Sequence, residues 1–263
     1  MLKKIPVALT VAGSDSGGGA GIQADLKTFA ALGVHGATVI ACLTAQNPAR
    51  VLSMEPCRPQ MLRRQLEAVF QEIPPSAIKT GMLFSSENIR FASSFLKDKK
   101  IPLVVDPVMI STSGARLLRP EALKALREKL LPLAALITPN LPEAETLSGR
   151  KIFSIEDMDD AARKIHSQFG CAVLLKGGHL EGARRATDIF FDGKMRLALT
   201  APFVKGIRTH GTGCVYSAAI CAALALGRDL PQAVQMGKRF VTAAIQNSRR
   251  IGEHFALGTL KLP

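Results

Sequence analysis

Short apolar runs alternate with stretches of helical periodicity along nearly the whole chain, and that alternation leaves few folds open. Residues 6–12, 38–43, 103–107, 135–138 and 172–175 read as strands whose largely apolar character suits burial on both faces, and 77–82 as a short strand running into a loop. Helices are expected over 22–32, 60–71, 85–97 and 121–131, and again after residues 139–143. Ser154 and Asp157 read as a capping box for a further helix, and a last one is expected over 231–249. Residues 188–191 and 195–199 read as a hairpin across Asp192-Gly193 with a type I′ turn. No low-complexity linker or fixed-period repeat divides the 263 residues. The expectation is one doubly wound α/β domain over residues 1–263, with helices on both faces of its sheet.

Two glycine-rich turns interrupt this pattern. The first, Gly13-Ser14-Asp15-Ser16-Gly17-Gly18-Gly19-Ala20-Gly21, joins the first strand to the first helix. That layout suits a nucleotide site, and equally a plain strand-to-helix connection. The dinucleotide fingerprint is met only loosely through Gly19, Gly21 and Ala24. No Asp or Glu lies between Asp25 and Glu55 to bind a ribose, which argues against a nicotinamide oxidoreductase. The pattern G-x-x-x-x-G-K-[ST] is absent.

The second turn is Thr209-His210-Gly211-Thr212-Gly213-Cys214. It runs into small apolar residues at helical spacing (Val215, Ala218, Ala219, Ala222, Ala223) and stops at Gly227. A helix start leaves backbone N–H groups unpaired and carries partial positive charge. Gly211 and Gly213 leave them open to a ligand, so the turn can take an anion. Cys214 stands at its mouth, where the same field is expected to stabilise a thiolate. Asp106 falls at the carboxyl end of a strand, where ligands of parallel sheets sit and where turn residues also occur. Asn140 and Glu143, three apart, are also the pattern of a helix cap.

Composition narrows the partners. Thirty-four Lys and Arg against 21 Asp and Glu give a net charge of +13, which favours anionic ligands. The basic residues are dispersed, Trp is absent and Tyr occurs once, so a nucleic-acid-binding protein without enzymatic activity is the weaker alternative. The five cysteines show no C-x-x-C or Cys/His metal spacing, which fits a reducing compartment, and the cytoplasm is the expected location. No apolar run approaches membrane-spanning length, and residues 5–12 are too short for a signal-peptide core.

Seven segments, in order, resemble the hydroxymethylpyrimidine/phosphomethylpyrimidine kinases of thiamine biosynthesis, in the ribokinase-like superfamily. They are AGSDSGGGAGIQADLKTF (12–29), TAQN (44–47), KTGML (79–83), DPVM (106–109), LITPNLPEAE (136–145), LLKGGHLEG (174–182) and THGTGC (209–214). The resemblance implies a mostly parallel central sheet, ATP as donor and Mg²⁺ as helper. It implies that Gly13, Asp25, Gln46 and Met82 hold the aminopyrimidine. Asn140 and Glu143 match the element that acts on Mg²⁺ and phosphate, and Asp106 resembles an acid near the metal. Lys176 resembles a lysine at the donor phosphates, with Thr209 on the same side. The Gly211–Cys214 backbone resembles an anion hole, and Cys214 takes the place of the catalytic base, which is Asp in most of the superfamily. Some pyridoxal kinases carry this Cys too, so pyridoxal kinase is the alternative within enzymes. The expected partners are a small pyrimidine and ATP, without nucleic acid or membrane, and any oligomer is expected to be a homodimer.

Overall fold

The first strand, β1 (Val7–Asp15), is returned by α1 (Gly21–Ala31) to β2 (His35–Gln46), which lies parallel to it. These and all further elements come from a computed structural model, which describes residues 4–109, 118, 120–204 and 210–259. β3 (Val51–Pro56) folds back antiparallel on β2. The chain then crosses through α2 (Pro59–Glu72) to β4 (Ala77–Thr80), on the other side of β1. Next come α3 (Ser86–Leu96), β5 (Leu103–Val105), α4 (Pro120–Ala125), β6 (Leu136–Ile137), α5 (Leu141–Ser148), α6 (Ile155–Phe169) and β7 (Ala172–Gly177). β8 (Ala186–Phe191) and β9 (Arg196–Ala201) form an antiparallel hairpin beside β7. α7 (Thr212–Ala225), α8 (Leu230–Gln246) and the small hairpin of β10 (Arg249–Ile251) and β11 (His254–Ala256) complete the described residues.

Among those residues the large sheet has nine strands in the order β3-β2-β1-β4-β5-β6-β7-β8-β9. The six from β2 to β7 are parallel, so their carboxyl ends share one edge. The side-chain alternation of β1 sends Leu9 and Val11 to one face and Ala8 to the other. The first face is covered by α2, α3, α5 and α6 through Leu66, Ile89, Leu147 and Ile165; the second by α1, α7 and α8 through Phe29, Ile220 and Val241. α7 is apolar all round, from Val215 to Ala225, because it lies between the sheet and two other helices. From β1 the chain moves first to one side and then to the other. The switch point where such sheets bind ligands therefore falls between β1 and β4.

The capping box of Ser154 and Asp157 forms as expected. Four expectations change. β3 lies on the edge with Leu52 62% exposed, so burial left no trace of it in the sequence. The helix expected over 121–131 ends at Ala125, widens over Leu126–Leu130 and tightens over Leu131–Leu133, where Pro132 has no N–H to continue it. The last helix stops at Gln246, and Arg249 belongs to the β10–β11 hairpin. The β8–β9 turn is shifted by one residue. Phe191 pairs with Arg196 and the Asp192 N–H donates to Met195 O, so Gly193 and Lys194 are central. Of these two only Gly193 has positive φ (94°), the pattern of a type II′ turn and not I′. The Asp192 carboxylate instead accepts the Lys194 and Met195 N–H groups.

Candidate active site

The carboxyl ends of the parallel strands bring most of the sequence-selected residues to one edge. The N-terminus of α7 faces them, with Gly211 as N-cap at φ 82°. The Val215 N–H is the donor to the Gly211 carbonyl (3.0 Å), so the N–H groups of the preceding turn have no partner further back in the helix. Glycine at 211 has two causes: the left-handed backbone, and the Gly19 carbonyl, which a Cβ would strike. The two glycine-rich turns therefore lock together. Gly21 (φ 56°) is pressed in the same way against the Gly13 carbonyl.

Beneath this turn lies a buried polar cluster. Lys176 Nζ is 3.0 Å from Asp106 Oδ1, and Asp106 also accepts from Thr138 Oγ1 (3.3 Å) and Ser217 Oγ (3.2 Å). A Cβ on Gly213 would come within 3.2 Å of Lys176 Nζ, so the helix start rests directly on that ammonium. Burial works to raise the Asp106 carboxyl, but Lys176 and Lys79 outweigh it and hold it below the usual carboxylate range. Burial works to lower Lys176, and the charges of Asp106 and Glu143 hold it high.

Asn140 is the N-cap of α5, and with Glu143 it forms the reciprocal cap that its spacing allowed. Glu143 Oε1 also accepts the Met109 N–H (3.1 Å), so both its oxygens hold backbone. Burial pushes this carboxyl up against the pull of Lys176. The cap and the proximity to Lys176 coexist, because the Lys176 N–H donates to Pro139 O (2.8 Å) and its backbone bridges to Asn140. Val108, between Asp106 and Met109, has φ 42°, a strained value for a β-branched residue.

Gly13 lies against Cys42 and Met82; a Cβ would meet Cys42 Sγ at 2.9 Å and the Met82 methyl at 3.0 Å. Gln46, at the end of β2, has its amide Nε2 2.7 Å from His210 Nε2, which ties the end of β2 to the turn before α7. Asp25 is placed differently from its expected part in the pocket wall. Its side chain is fully buried, both oxygens accept from Lys79 Nζ (2.7 and 2.8 Å), and Oδ2 accepts from Thr10 (2.6 Å). The carboxylate holds Lys79, and no part of it is open to a ring. Thr209 lies outside the described residues.

Cys214 also departs from expectation. Its thiol is pushed up to about 11, not down. Burial is the largest cause; Lys79 pulls the other way, while Asp25 and Asp106 add to the rise. The Gly21 backbone also favours the thiolate, but less than burial opposes it.

Sequence reasoning passed over Asp15, Lys79, His210 and Ser217. Lys79 had a visible signal: a lysine inside the apolar strand Ala77-Ile78-Lys79-Thr80, where only a buried counter-charge makes it tolerable. Asp15 accepts the N–H groups of Gly17, Gly19 and Ala20 at 2.8–3.1 Å and so shapes the first glycine loop.

A mostly parallel sheet covered by helices on both faces, with a glycine-framed helix N-terminus over a Lys–Asp pair at the carboxyl ends of its strands, is the arrangement of an α/β kinase of the ribokinase-like class. The profile of the family described as phosphomethylpyrimidine kinase matches residues 15–258, and the chain belongs to that family. It is similar to the hydroxymethylpyrimidine/phosphomethylpyrimidine kinase of Rhizobium meliloti, 48% identical over 246 residues covering 93% of this chain and 92% of that one. It is 47% identical over 245 residues, 93% of its length, to the thiamine biosynthesis bifunctional protein of Geobacter sulfurreducens, of which it spans half. A Bacillus subtilis pyridoxal kinase solved with ADP superposes with a TM-score of 0.89 at 39% identity, covering 97% of each chain.

Proposed function

We propose that the chain phosphorylates hydroxymethylpyrimidine at its alcohol and then phosphorylates the monophosphate to the diphosphate, as thiamine biosynthesis requires, with ATP as donor. One observation supports the reading: the glycine-framed start of α7 lies over the Lys176–Asp106 pair and, through the His210–Gln46 contact, next to the end of β2, close to where Gly13 packs on Met82. Gln46 offers a donor and an acceptor to an aminopyrimidine edge, and Met82 lies against the ring. The acceptor oxygen attacks the γ-phosphorus as the bond to the β–γ bridging oxygen breaks. The N–H groups of Gly211 to Cys214 hold the transferring phosphoryl, and Lys176 adds positive charge. Cys214, in its thiolate form, takes the alcohol proton, so this step draws on the minor ionised fraction of a thiol pushed up to about 11. Asn140, Glu143 and Lys176, with Thr209, form the donor side.

The residues also fit a magnesium ion that keeps most of its waters. Asp106 and Glu143 are two buried carboxylates whose oxygens are already hydrogen-bonded, and among the described residues no group of three or more His, Cys, Asp or Glu is arranged to hold a metal. Such carboxylates would reach a hydrated ion held mainly by phosphate oxygens. When bound, the ion neutralises charge on the donor phosphates.

The likeness to a pyridoxal kinase keeps a second ring in view, since both substrates are flat and carry a hydroxymethyl group. Coupled assays with both acceptors test the choice. The expected kcat/KM is higher for hydroxymethylpyrimidine, and a value for pyridoxal at or above it reverses the assignment.

A further inference from the structure

Gln46 has a fixed backbone and an adjustable amide. Its N–H donates to Ser16 Oγ (2.8 Å), and its C=O accepts from the same hydroxyl (2.8 Å). At the amide, Nε2 lies 2.7 Å from His210 Nε2, and Oε1 lies 3.2 Å from Thr44 Oγ1. A half-turn of the amide exchanges oxygen and nitrogen with almost no change of shape. Two hydrogen-bond arrays therefore compete. In one, the Gln46 amide donates to an unprotonated His210 Nε2, and the single Thr44 hydroxyl proton must serve both Gln46 Oε1 and the Ser14 carbonyl (2.9 Å). In the other, His210 Nε2–H donates to Gln46 Oε1, the amide N–H donates to Thr44 Oγ1, and the Thr44 proton goes to Ser14 alone. The second array also turns the Nε2 proton toward Asp15 Oδ2, 3.4 Å away, while the first leaves a lone pair facing that carboxylate. The Thr44 and His210 Nε2 protons then each have an acceptor and no lone pair faces the Asp15 carboxylate, while the second amide N–H is left over for another partner, so the second array is the better satisfied.

We propose that His210 is a specificity-determining residue: it fixes which way round the Gln46 amide is held, and so the order of donor and acceptor that the pocket shows to a ring. This rests on the reading that Gln46 contacts the substrate ring. An aminopyrimidine carries a ring nitrogen, which only accepts, beside an amino group, which donates. It matches one orientation of an amide and clashes with the other. A hydroxypyridine such as pyridoxal carries a hydroxyl that donates or accepts, so it tolerates both. Holding the amide in one orientation therefore favours the aminopyrimidine, as buried hydrogen-bonding sites favour the ring that satisfies them.

The test is a double-mutant cycle of His210→Leu and Gln46→Leu, with KM measured for hydroxymethylpyrimidine, pyridoxal and ATP. For His210→Leu the expected result is a KM for hydroxymethylpyrimidine raised about tenfold, roughly one hydrogen bond, with KM for pyridoxal and ATP within about twofold. Adding His210→Leu to Gln46→Leu should then change little. Additive losses, or equal losses for both rings, overturn the proposal while leaving the Gln46 reading intact. An unchanged KM for hydroxymethylpyrimidine in Gln46→Leu removes that reading, and the proposal with it. Should His210→Leu fail to fold, ¹⁵N shifts of the His210 ring in the wild-type protein saturated with hydroxymethylpyrimidine decide the matter. The Nε2–H tautomer supports the proposal, and the Nδ1–H tautomer overturns it.

Discussion

At the scale of single residues, Cys214 and Asp25 acquire their character from burial. Because burial pushes the Cys214 thiol up to about 11, the thiolate fraction is small at neutral pH and grows as pH rises. If this group takes the alcohol proton, the first phosphorylation should accelerate toward alkaline pH in the wild type and lose that slope in Cys214→Ala. The same substitution should lower kcat for the alcohol by about 10²–10⁴-fold. It should lower kcat for the monophosphate far less, since that acceptor has a second pKa of about 6 and is largely ionised already. Equal losses in both steps would assign Cys214 to positioning. Asp25 and Lys79 are both wholly buried and satisfy each other. Asp25→Asn leaves an ammonium without its counter-charge and should cost about 3–5 kcal/mol in urea unfolding. Pairing Asp25→Leu with Lys79→Met should recover most of it. A stable Asp25→Asn that merely binds pyrimidine more weakly would return Asp25 to the pocket wall. Glu143 combines a cap with a charge near Lys176. Glu143→Gln should therefore raise the Mg²⁺ concentration needed for half-maximal rate, and an unchanged titration would leave the residue as a cap alone.

At the scale of elements, the decisive contact joins the two glycine-rich turns. The loop between β1 and α1 is shaped by Asp15, and the Gly19 carbonyl presses on Gly211 at the start of α7. α1 and α7 lie on the same face of the sheet, so the loop and the glycine-framed turn before α7 are carried by neighbouring helices. Gly211→Ala puts a Cβ into that carbonyl and an alanine into a left-handed backbone, which alone costs about 1–2 kcal/mol. We expect a lower urea midpoint and a kcat loss at saturating ATP. Gly227→Ala, also left-handed (φ 81°) but with open space around it, should show the stability loss without the kcat loss. Similar kcat in the two variants would separate the anion-binding role from the 211 turn.

At the scale of the whole molecule, the apolar strands and the amphipathic helices between them were enough to specify a layered α/β fold, because parallel strands covered on both faces leave unbroken apolar runs. The β3 edge and the β10–β11 hairpin bury little and left no such record. Local chemistry was legible where it acts within a few residues: the Ser154 and Asn140 caps, and the glycines at 211 and 227. Charge states were not. The Cys214 thiol and the Lys79–Asp25 pair are set by groups far apart in the chain, through a desolvation that exists only once the sheet and α7 have closed over them. Likewise Gln46 and His210, 164 positions apart, meet only because β2 and the turn before α7 end at the same edge. The order of residues thus determined the fold class, the family and the glycine-framed turn that opens α7. Tertiary structure alone decided which carboxylates are sealed away, which way burial pushes the Cys214 thiol and which side chains share a hydrogen bond, because each depends on distance and dielectric and not on neighbours in sequence.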